Sequence, residues 1–156
     1  MWMEKINPVE IKLRKIRYEE IPKAIKIASE TLTENYSIDL FYNIYNSWPD
    51  GFIVAEYRGN IVGFIASSML SIYEARILMF SVINELQNRG IGKLLLKKFE
   101  EICKYYGIKT IRLEVRISNK NAILFYEKNG FIIINIINNY YSNGESAYIM
   151  WKVLET

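Results

Sequence analysis

The pattern of apolar and polar positions changes between two periods along the chain. At 9–16, the stretch VEIKLRKI alternates apolar and charged residues, which is typical of a half-buried β-strand. From Glu19 onward, apolar residues recur with helical spacing, at Ile21, Ala24, Ile25, Ala28 and Leu32. Pro22 stands in the first turn of this segment, where a helix tolerates a missing N–H. The pattern therefore predicts a strand followed by an amphipathic helix.

The rest of the chain continues to switch between these periods. A short helix is predicted at 38–48, ended by Pro49, and a hairpin at 51–70 turns at 58–60. The later elements are predicted to be strand, helix, strand, helix and two strands, at 75–83, 90–106, 110–117, 119–130, 131–137 and 146–153. The order β-α-α-β-β-β-α-β-α-β-β predicts a mixed sheet with helices on both faces, an α/β or α+β fold.

Composition sets the class of protein. The 156 residues are 51% hydrophobic and 24% charged, which fits one globular domain over 1–156. A net charge of +3 is too small to indicate a nucleic-acid binder. The chain lacks a membrane-spanning apolar run, and its start, MWMEKINPVEIKL, lacks the apolar core of a secretory signal. With a single cysteine and hence no internal disulfide, we expect a cytoplasmic protein without membrane partners.

The absence of histidine restricts the possible chemistry. The sequence contains no histidine, which excludes histidine-based triads, histidine metal ligands and a histidine general base. Acid–base chemistry near neutral pH must then fall to carboxylates, tyrosine, lysine, cysteine or water. The sequence has no metal-binding constellation, and no metal is expected.

The stretch QNRGIG between a predicted strand and a predicted helix is a candidate anion site. Gly90 and Gly92 leave the backbone bare, and the free N–H groups and dipole of a helix start attract negative charge. Arg89 and Lys93 add positive charge beside it. The alternative is an ordinary tight turn. The stretch is neither a dinucleotide fingerprint nor a Walker A loop.

Three stretches together resemble one enzyme superfamily. QNRGIGKLLL, LEVRISNKNAILFYEKNGF and YYSNGESAYIM are similar to the GCN5-related N-acetyltransferases (GNAT), and within them to ribosomal-protein alanine N-acetyltransferases and archaeal N-terminal acetyltransferase catalytic subunits. The resemblance implies a sheet that splays between the fourth and fifth strands, with acetyl-CoA as donor and its pantetheine arm in the gap.

The resemblance also implies donor-binding residues. Backbone groups of Phe80, Ser81 and Val82 would contact the pantetheine arm, and Asn119 would bind the donor near a helix start. The residues around the pyrophosphate would be Asn88, Arg89, Gly90, Ile91, Gly92 and Lys93.

Two side chains are candidates for the chemistry. The resemblance makes Glu114 the general base and Tyr126 the acid beside the thioester sulfur, with the N–H of Val82 as oxyanion donor. The alternative for Glu114 is a surface carboxylate paired with an arginine of its own strand, and for Tyr126 a core tyrosine. Cys103 falls on the apolar stripe of its helix, so we expect core packing and direct transfer without an acetyl-enzyme.

The acceptor is expected to be the free N-terminal amine of a protein or peptide. The resemblance implies contacts from Glu34 and Tyr36 on one side of a cleft and from Tyr140 and Tyr141 on the other. A ribosomal-protein substrate and an auxiliary subunit are left open, and direct nucleic-acid binding is not expected. The alternatives are transfer to a small amine, polyamine or lysine side chain, and a non-enzymatic subunit that binds acyl-CoA or a partner protein.

Overall fold

A mixed seven-stranded sheet and four α-helices make up the residues that the computed structural model describes, 6–155. The strands are β1 (Ile11–Lys15), β2 (Phe52–Tyr57), β3 (Asn60–Met69), β4 (Glu74–Val82), β5 (Thr110–Arg116), β6 (Ile132–Ile137) and β7 (Ala147–Val153). The helices are α1 (Ile21–Thr31), α2 (Ile38–Ser47), α3 (Ile91–Tyr105) and α4 (Lys120–Lys128). The predicted element order is confirmed. Residues 1–5, part of the stretch expected to lack a secretory signal, lie outside this description.

The strands lie in the order β1-β2-β3-β4-β5-β7-β6. The β4–β5 pair is parallel, and the other five pairs of neighbours are antiparallel. Hairpin-type connections join β2 to β3 and β3 to β4, whereas α3 crosses from β4 to β5 as a parallel pair requires. Within 6–155, no helix is both long and apolar enough to cross a bilayer.

Helices cover both faces of the sheet, as predicted, and each face has its own core. One core packs α3 against the sheet through side chains such as Leu95 and Phe99. The other packs α1 and α2 through side chains such as Ile21 and Phe41. The helical spacing in the sequence placed these buried faces correctly, because one apolar stripe per helix is enough to define the packed side.

The beginning of β1 differs slightly from the prediction. Pro8 begins a single 3₁₀ turn, and the Oδ1 atom of Asn7 accepts the N–H of Val9 at 3.2 Å. The strand therefore starts at Ile11 instead of Val9, because this local cap competes with the strand ladder.

β4 contains a β-bulge at Leu78, beside the open part of the sheet. Met79 faces Ala66 of β3 and Ile77 faces Ser67, which leaves Leu78 as the extra residue. Consequently Ile77 belongs to the core beneath α3, and Met79 belongs to the core beneath α1 and α2. Beyond the bulge, the alternation of β4 side chains between the two layers is therefore shifted by one residue. The period-two pattern of the sequence does not reveal this shift.

Candidate active site

The central feature of the molecule is a gap between β4 and β5. The two strands pair only over 74–76 and 110–112, and neither pairs with the other over 77–82 and 113–116. β5 instead stays paired with β7 over its whole length, and β4 stays paired with β3. The predicted splay between the fourth and fifth strands is therefore confirmed. It leaves one edge of each strand without a strand partner in the interior of the sheet.

The ladder between β3 and β4 shows how the backbone of Val82 is aimed. Gly63 faces Val82, and the N–H of Ile83 donates to the carbonyl of Val62 at 2.8 Å. In an antiparallel ladder, a pair flanked in this way exchanges no hydrogen bonds of its own. The N–H and C=O of Val82 therefore point away from β3 and toward the gap.

Phe80 shares this orientation and Ser81 does not. Phe80 lies two residues before Val82 and faces Ile65, so its backbone groups also point at the gap. Ser81 faces Phe64, and its backbone groups turn toward β3. The hydroxyl of Ser81 is buried and donates to the Oγ1 atom of Thr31 in α1. Of the three residues predicted to meet the pantetheine arm through their backbone, Ser81 is thus aimed elsewhere.

A cavity of about 140 Å³ occupies the gap. Because the sheet is open here, side chains from both of its faces reach the same space. The polar side chains on its wall are those of Thr33, Glu34, Tyr36, Glu114, Arg116, Asn119, Tyr126 and Tyr141. Predicted catalytic and acceptor-binding residues from four separate segments are therefore brought together, and Tyr140 lies just outside this wall.

The predicted anion loop has the backbone of a binding turn. Asn88 has φ 62° and Gly90 has φ 89°, so two residues adopt the left-handed region just before α3. α3 begins at Ile91 without a side-chain cap, which leaves its first N–H groups, including those of Gly92 and Lys93, to other partners. An anion is one such partner. Arg89 lies half-buried in the same turn.

Gln87 connects this loop to the gap. Its Nε2 atom donates to the carbonyl of Val82 at 2.9 Å and to Oδ1 of Asn84 at 3.2 Å. One side chain therefore holds the end of β4 against the turn before α3. The backbone of Val82 and the helix start are fixed relative to each other, as a ligand spanning both would require.

Gly92 leaves room beside an aromatic wall. A Cβ at Gly92 would lie 3.5 Å from the ring of Phe125 and 3.8 Å from that of Phe80. These two rings pack edge to face with centroids 5.7 Å apart. The bare backbone of the first turn of α3 thus lies along the aromatic side of the gap.

Glu114 is nearly buried and has a partner from the neighbouring strand. Its side chain is 9% exposed, and its Oε2 atom lies 2.9 Å from Nε of Arg76. Nε of Arg112 lies 3.8 Å from the other carboxylate oxygen. The alternative prediction was a surface glutamate paired with an arginine of its own strand. Instead, the side chain is nearly buried and its nearest partner is Arg76 of the neighbouring strand. Sequence reasoning missed Arg76 because no local spacing connects β4 to β5.

Tyr126 is enclosed by aromatic rings. Its ring centroid lies 5.4 Å from that of Phe131 and 6.3 Å from that of Phe80. Burial raises the pKa of Tyr126, and the nearby Tyr36 and Tyr141 raise it further. The hydroxyl therefore stays protonated well above neutral pH and can act as a hydrogen-bond donor toward the cavity.

An arginine bridges the two rims of the cavity. Nε of Arg116 donates to Glu34 in the α1–α2 loop at 2.6 Å, and Nη1 donates to Glu145 in the β6–β7 loop at 2.8 Å. Its guanidinium carbon lies 4.0 Å from the ring centroid of Tyr141. The alternation of β5 places Arg112, Glu114 and Arg116 on one face, and this period-two signal could have placed Arg116 beside Glu114 in the sequence, although not its partners Glu34 and Glu145.

The predicted tyrosines line the same rims. Burial raises the pKa of Tyr36 to about 12, and the carboxylate of Glu34 also raises it. Burial raises the pKa of Tyr141 as well. Tyr140 packs against Tyr141 with centroids 4.9 Å apart, and its hydroxyl accepts from Nη2 of Arg76 at 3.0 Å.

The remaining candidates fall in different places. Asn119 caps α4, because its Oδ1 atom accepts the N–H of Ala122 at 3.3 Å, and it also lines the cavity. Cys103 is fully buried in the core beneath α3, as predicted, and burial raises its thiol pKa to about 12. Among residues 6–155, no group of three or more histidine, cysteine or acidic side chains is arranged to hold a metal ion.

Comparisons with known proteins agree with this geometry. The sequence model described as the acetyltransferase (GNAT) family matches residues 21–131. An N-alpha-acetyltransferase of Saccharolobus solfataricus is 31% identical, with 97% of this chain and 98% of that protein covered. The crystal structure of Ard1 from Thermoplasma volcanium superposes with a TM-score of 0.91 at 37% identity, covering 94% of this chain and 99% of the other.

A further similar structure was solved with a bisubstrate analogue bound. Arabidopsis thaliana Naa50 in complex with the bisubstrate analogue CoA-Ac-MVNAL has a TM-score of 0.84 and 26% identity, covering 93% of this chain and 99% of the other. The splayed sheet, the glycine turn before α3 and the family match lead to one conclusion. The chain belongs to the GNAT acetyltransferase family and is an acetyl-CoA-dependent N-acetyltransferase.

Proposed function

We propose that this enzyme acetylates the free N-terminal α-amine of proteins or peptides, with acetyl-CoA as donor and without an acetyl-enzyme. The observation that carries the proposal is the single cavity at the open end of β4 and β5, which Glu114 and Tyr126 both line together with a rim of tyrosines. The N-alpha-acetyltransferase relatives and the Naa50 complex with a peptide-based analogue support the same acceptor class.

The open end of the sheet fits the donor. The backbone groups of Phe80 face the gap and suit the amide groups of a pantetheine arm, whereas the N–H of Val82 faces the same gap and suits the acetyl end of the donor. The turn at 88–93, with its left-handed Gly90 and uncapped helix start, suits a pyrophosphate. Asn119 lies on the cavity wall near this arm. We assign Ser81 to the contact with α1 instead, because its backbone is turned to β3.

Three groups of this chain serve the transfer. Bound acetyl-CoA supplies an activated thioester. Glu114 removes a proton from the acceptor ammonium, directly or through a water, so that the amine can attack. The N–H of Val82 stabilises negative charge as it develops on the acetyl oxygen, and it is already aimed by the ladder with β3. Tyr126 donates a hydrogen bond or a proton to the departing sulfur, and burial keeps its hydroxyl protonated for this role.

The rim of the cavity suits a peptide chain. Tyr36, Tyr140 and Tyr141 offer hydroxyls and aromatic faces that hold a peptide irrespective of its side chains. Glu34 provides a carboxylate at the α1–α2 side of the cavity. The bridge from Arg116 to Glu34 and Glu145 joins the two rims, so entry of a peptide requires at least one of these ion pairs to open.

A small amine is the second candidate acceptor. The closed bridge between the rims favours a small acceptor over a peptide. The cavity of about 140 Å³ is smaller than the pockets that enclose drug-sized ligands, roughly 300 Å³ and above. A small amine or polyamine could enter without opening the rims. The two candidates therefore differ in whether the Arg116 bridge must break during turnover.

Locating the transferred acetyl group distinguishes these acceptors. The enzyme is incubated with acetyl-CoA and three acceptor sets: free N-terminal peptides, the same lysine-containing peptides with blocked N-termini, and small amines. Mass spectrometry then identifies the modified nitrogen. We expect acetylation of free α-amines only. Acetylation of lysine or small amines alone contradicts the proposal and supports the second candidate.

A further inference from the structure

Arg76 lies where β4 and β5 begin to diverge. It forms the last parallel pair with β5, opposite Arg112, and the strands separate immediately after it. Two residues farther along β5, Glu114 points to the same face of the sheet as Arg112. Arg76 is not among the residues that line the cavity, although its side chain contacts Glu114, which is.

One guanidinium contacts both the candidate base and the acceptor rim. Nε of Arg76 lies 2.9 Å from Oε2 of Glu114, and Nη2 lies 3.0 Å from the hydroxyl of Tyr140. The Arg76 side chain is 29% exposed and that of Glu114 is 9% exposed. A charge-assisted hydrogen bond in such a sheltered place fixes orientation well, because little water competes for either partner.

We propose that Arg76 is a positioning residue that holds Glu114 in its working orientation and couples it to the acceptor rim through Tyr140. This inference rests on the proposed function. Nε of Arg76 uses Oε2, so Oε1 remains as the oxygen that receives the proton from the acceptor. An acceptor that contacts Tyr140 also contacts, through one guanidinium, the group that activates it.

Arg112 provides a matched control on the same face. Its Nε atom is 3.8 Å from Oε1 of Glu114, beyond hydrogen-bond distance, and its side chain is 33% exposed. Replacing either arginine by glutamine removes one positive charge near the carboxylate. Only the Arg76 replacement removes a hydrogen bond that orients it, so the two variants separate orientation from charge.

The charged and titratable groups around Glu114 come from every neighbouring segment. They are Arg76 of β4, Arg112 and Arg116 of β5, Glu34 and Tyr36 of the α1–α2 loop, Tyr126 of α4, and Tyr140 and Tyr141 of the β6–β7 loop. The contact from Arg76 is shorter than that from Arg112, so Arg76→Gln removes the contact that fixes the orientation of the carboxylate. A misoriented base should lower kcat and leave the KM for acetyl-CoA unchanged.

The test compares Arg76→Gln, Arg76→Lys and Arg112→Gln with the unaltered enzyme. Acetyl-CoA binding and thermal melting identify any variant that is misfolded. For Arg76→Gln we expect kcat to fall about 10²-fold, as for a misplaced catalytic group, with the KM and affinity for acetyl-CoA unchanged. Arg76→Lys should restore part of kcat. Arg112→Gln should change kcat by only a few fold.

Two outcomes overturn the inference. One is an equal loss of kcat in Arg76→Gln and Arg112→Gln, and the other is a loss in Arg76→Gln that lies in the KM for acetyl-CoA and not in kcat. If Arg76→Gln does not fold, failure of Arg76→Lys to differ from the unaltered enzyme in kcat also contradicts it. The comparison can be run on whichever amine the enzyme acetylates. Transfer to a small amine alone would therefore refute the proposed acceptor while the role of Arg76 is still measured.

Discussion

The two ends of the β4–β5 pair differ in structure: one end is hydrogen-bonded, and the other is open. At 74–76 and 110–112 the strands are hydrogen-bonded, and Thr110 also donates to Glu74 across the junction at 2.9 Å. At 77–82 and 113–116 the strands part, Phe80 lines the cavity between them, and the backbone of Val82 points away from β3 into the gap. Buried backbone groups normally find partners. An unpaired strand edge inside a sheet therefore indicates a ligand that takes the place of the missing strand.

The difference between the two ends has identifiable causes. The bulge at Leu78 changes the course of β4 just beyond the paired end. Phe80, Phe125 and Tyr126 then form an aromatic wall beside the gap. β5 remains paired with β7 from Thr110 to Arg116, so these two strands diverge from β4 together.

The largest effect on kcat is expected from comparing Glu114, at the open end, with Glu74, at the paired end. Glu114→Gln removes the proposed proton acceptor at the open end, and we expect kcat to fall by about 10²–10⁴-fold. Glu74→Gln at the paired end should leave kcat within a few fold, because Glu74 contacts only the junction. Steady-state kinetics with acetyl-CoA and one peptide acceptor measures both. Equal losses would show that the open end has no special chemical role.

A smaller effect is expected for the buried hydroxyl at the open end. Tyr126→Phe should lower kcat by about 10²-fold, the low end for one acid–base group. Because burial raises the pKa of Tyr126, its proton is retained as pH rises, and the unaltered enzyme should show no loss of kcat/KM between about pH 8 and pH 10. Tyr148→Phe in β7 is the control and should retain normal kcat.

The glycine turn permits a matched comparison between the two ends of α3. Gly90 (φ +89°) precedes the helix, and Gly107 (φ +77°) follows it; an added Cβ meets no atom within 4 Å at either position. Alanine should therefore cost about 1–2 kcal/mol of backbone strain at both positions. Only Gly90→Ala should weaken acetyl-CoA binding, by about tenfold, because the free turn can relax the strain and binding must restore it. Calorimetry measures the affinity, and equal weakening in Gly107→Ala would contradict the assignment.

The smallest expected effect on catalysis lies at the β1 edge of the sheet. Arg14 of β1 binds Glu20 through both Nη atoms at 2.8 Å and also contacts Glu56. Arg14→Gln should lower the free energy of unfolding by about 2 kcal/mol at pH 7 and leave kcat unchanged.

The pH dependence of that stability has a definite sign. The hydrogen bond from Arg14 lowers the pKa of Glu20. The pair therefore stabilises the fold above the usual glutamate pKa, and this contribution disappears as the pH falls through the lowered value. Denaturant unfolding should show the difference between Arg14→Gln and the unaltered protein shrinking below about pH 4. A difference that stays constant to pH 3 would contradict this account.

The fold was predictable because each element is indicated by a pattern within its own segment of the sequence. Alternation in β5 and helical spacing in α1 and α3 indicated both the elements and their buried faces. The bulge at Leu78 was not predictable, because it depends on the register between β3 and β4 and not on the composition of either strand.

The candidate site was predictable only where a motif spans one segment. The stretches around Gly90, Glu114 and Tyr126 each lie within a single strand–helix unit. Arg76 has no such signal, because its contacts are with β5 and with the β6–β7 loop. The opposite orientations of Ser81 and Val82 also required the ladder with β3. Contacts between distant segments are set by the sheet, and sequence spacing does not encode them.

The most direct test of the central claim is amide hydrogen exchange, measured by NMR with and without acetyl-CoA. We expect the donor to slow exchange at the amides of Phe80 and Val82, which face the gap. The amide of Ser81, which faces β3, should change little and serves as an internal control. Unchanged exchange at Phe80 and Val82 in the saturated enzyme would contradict the claim that the open edge of β4 binds the donor.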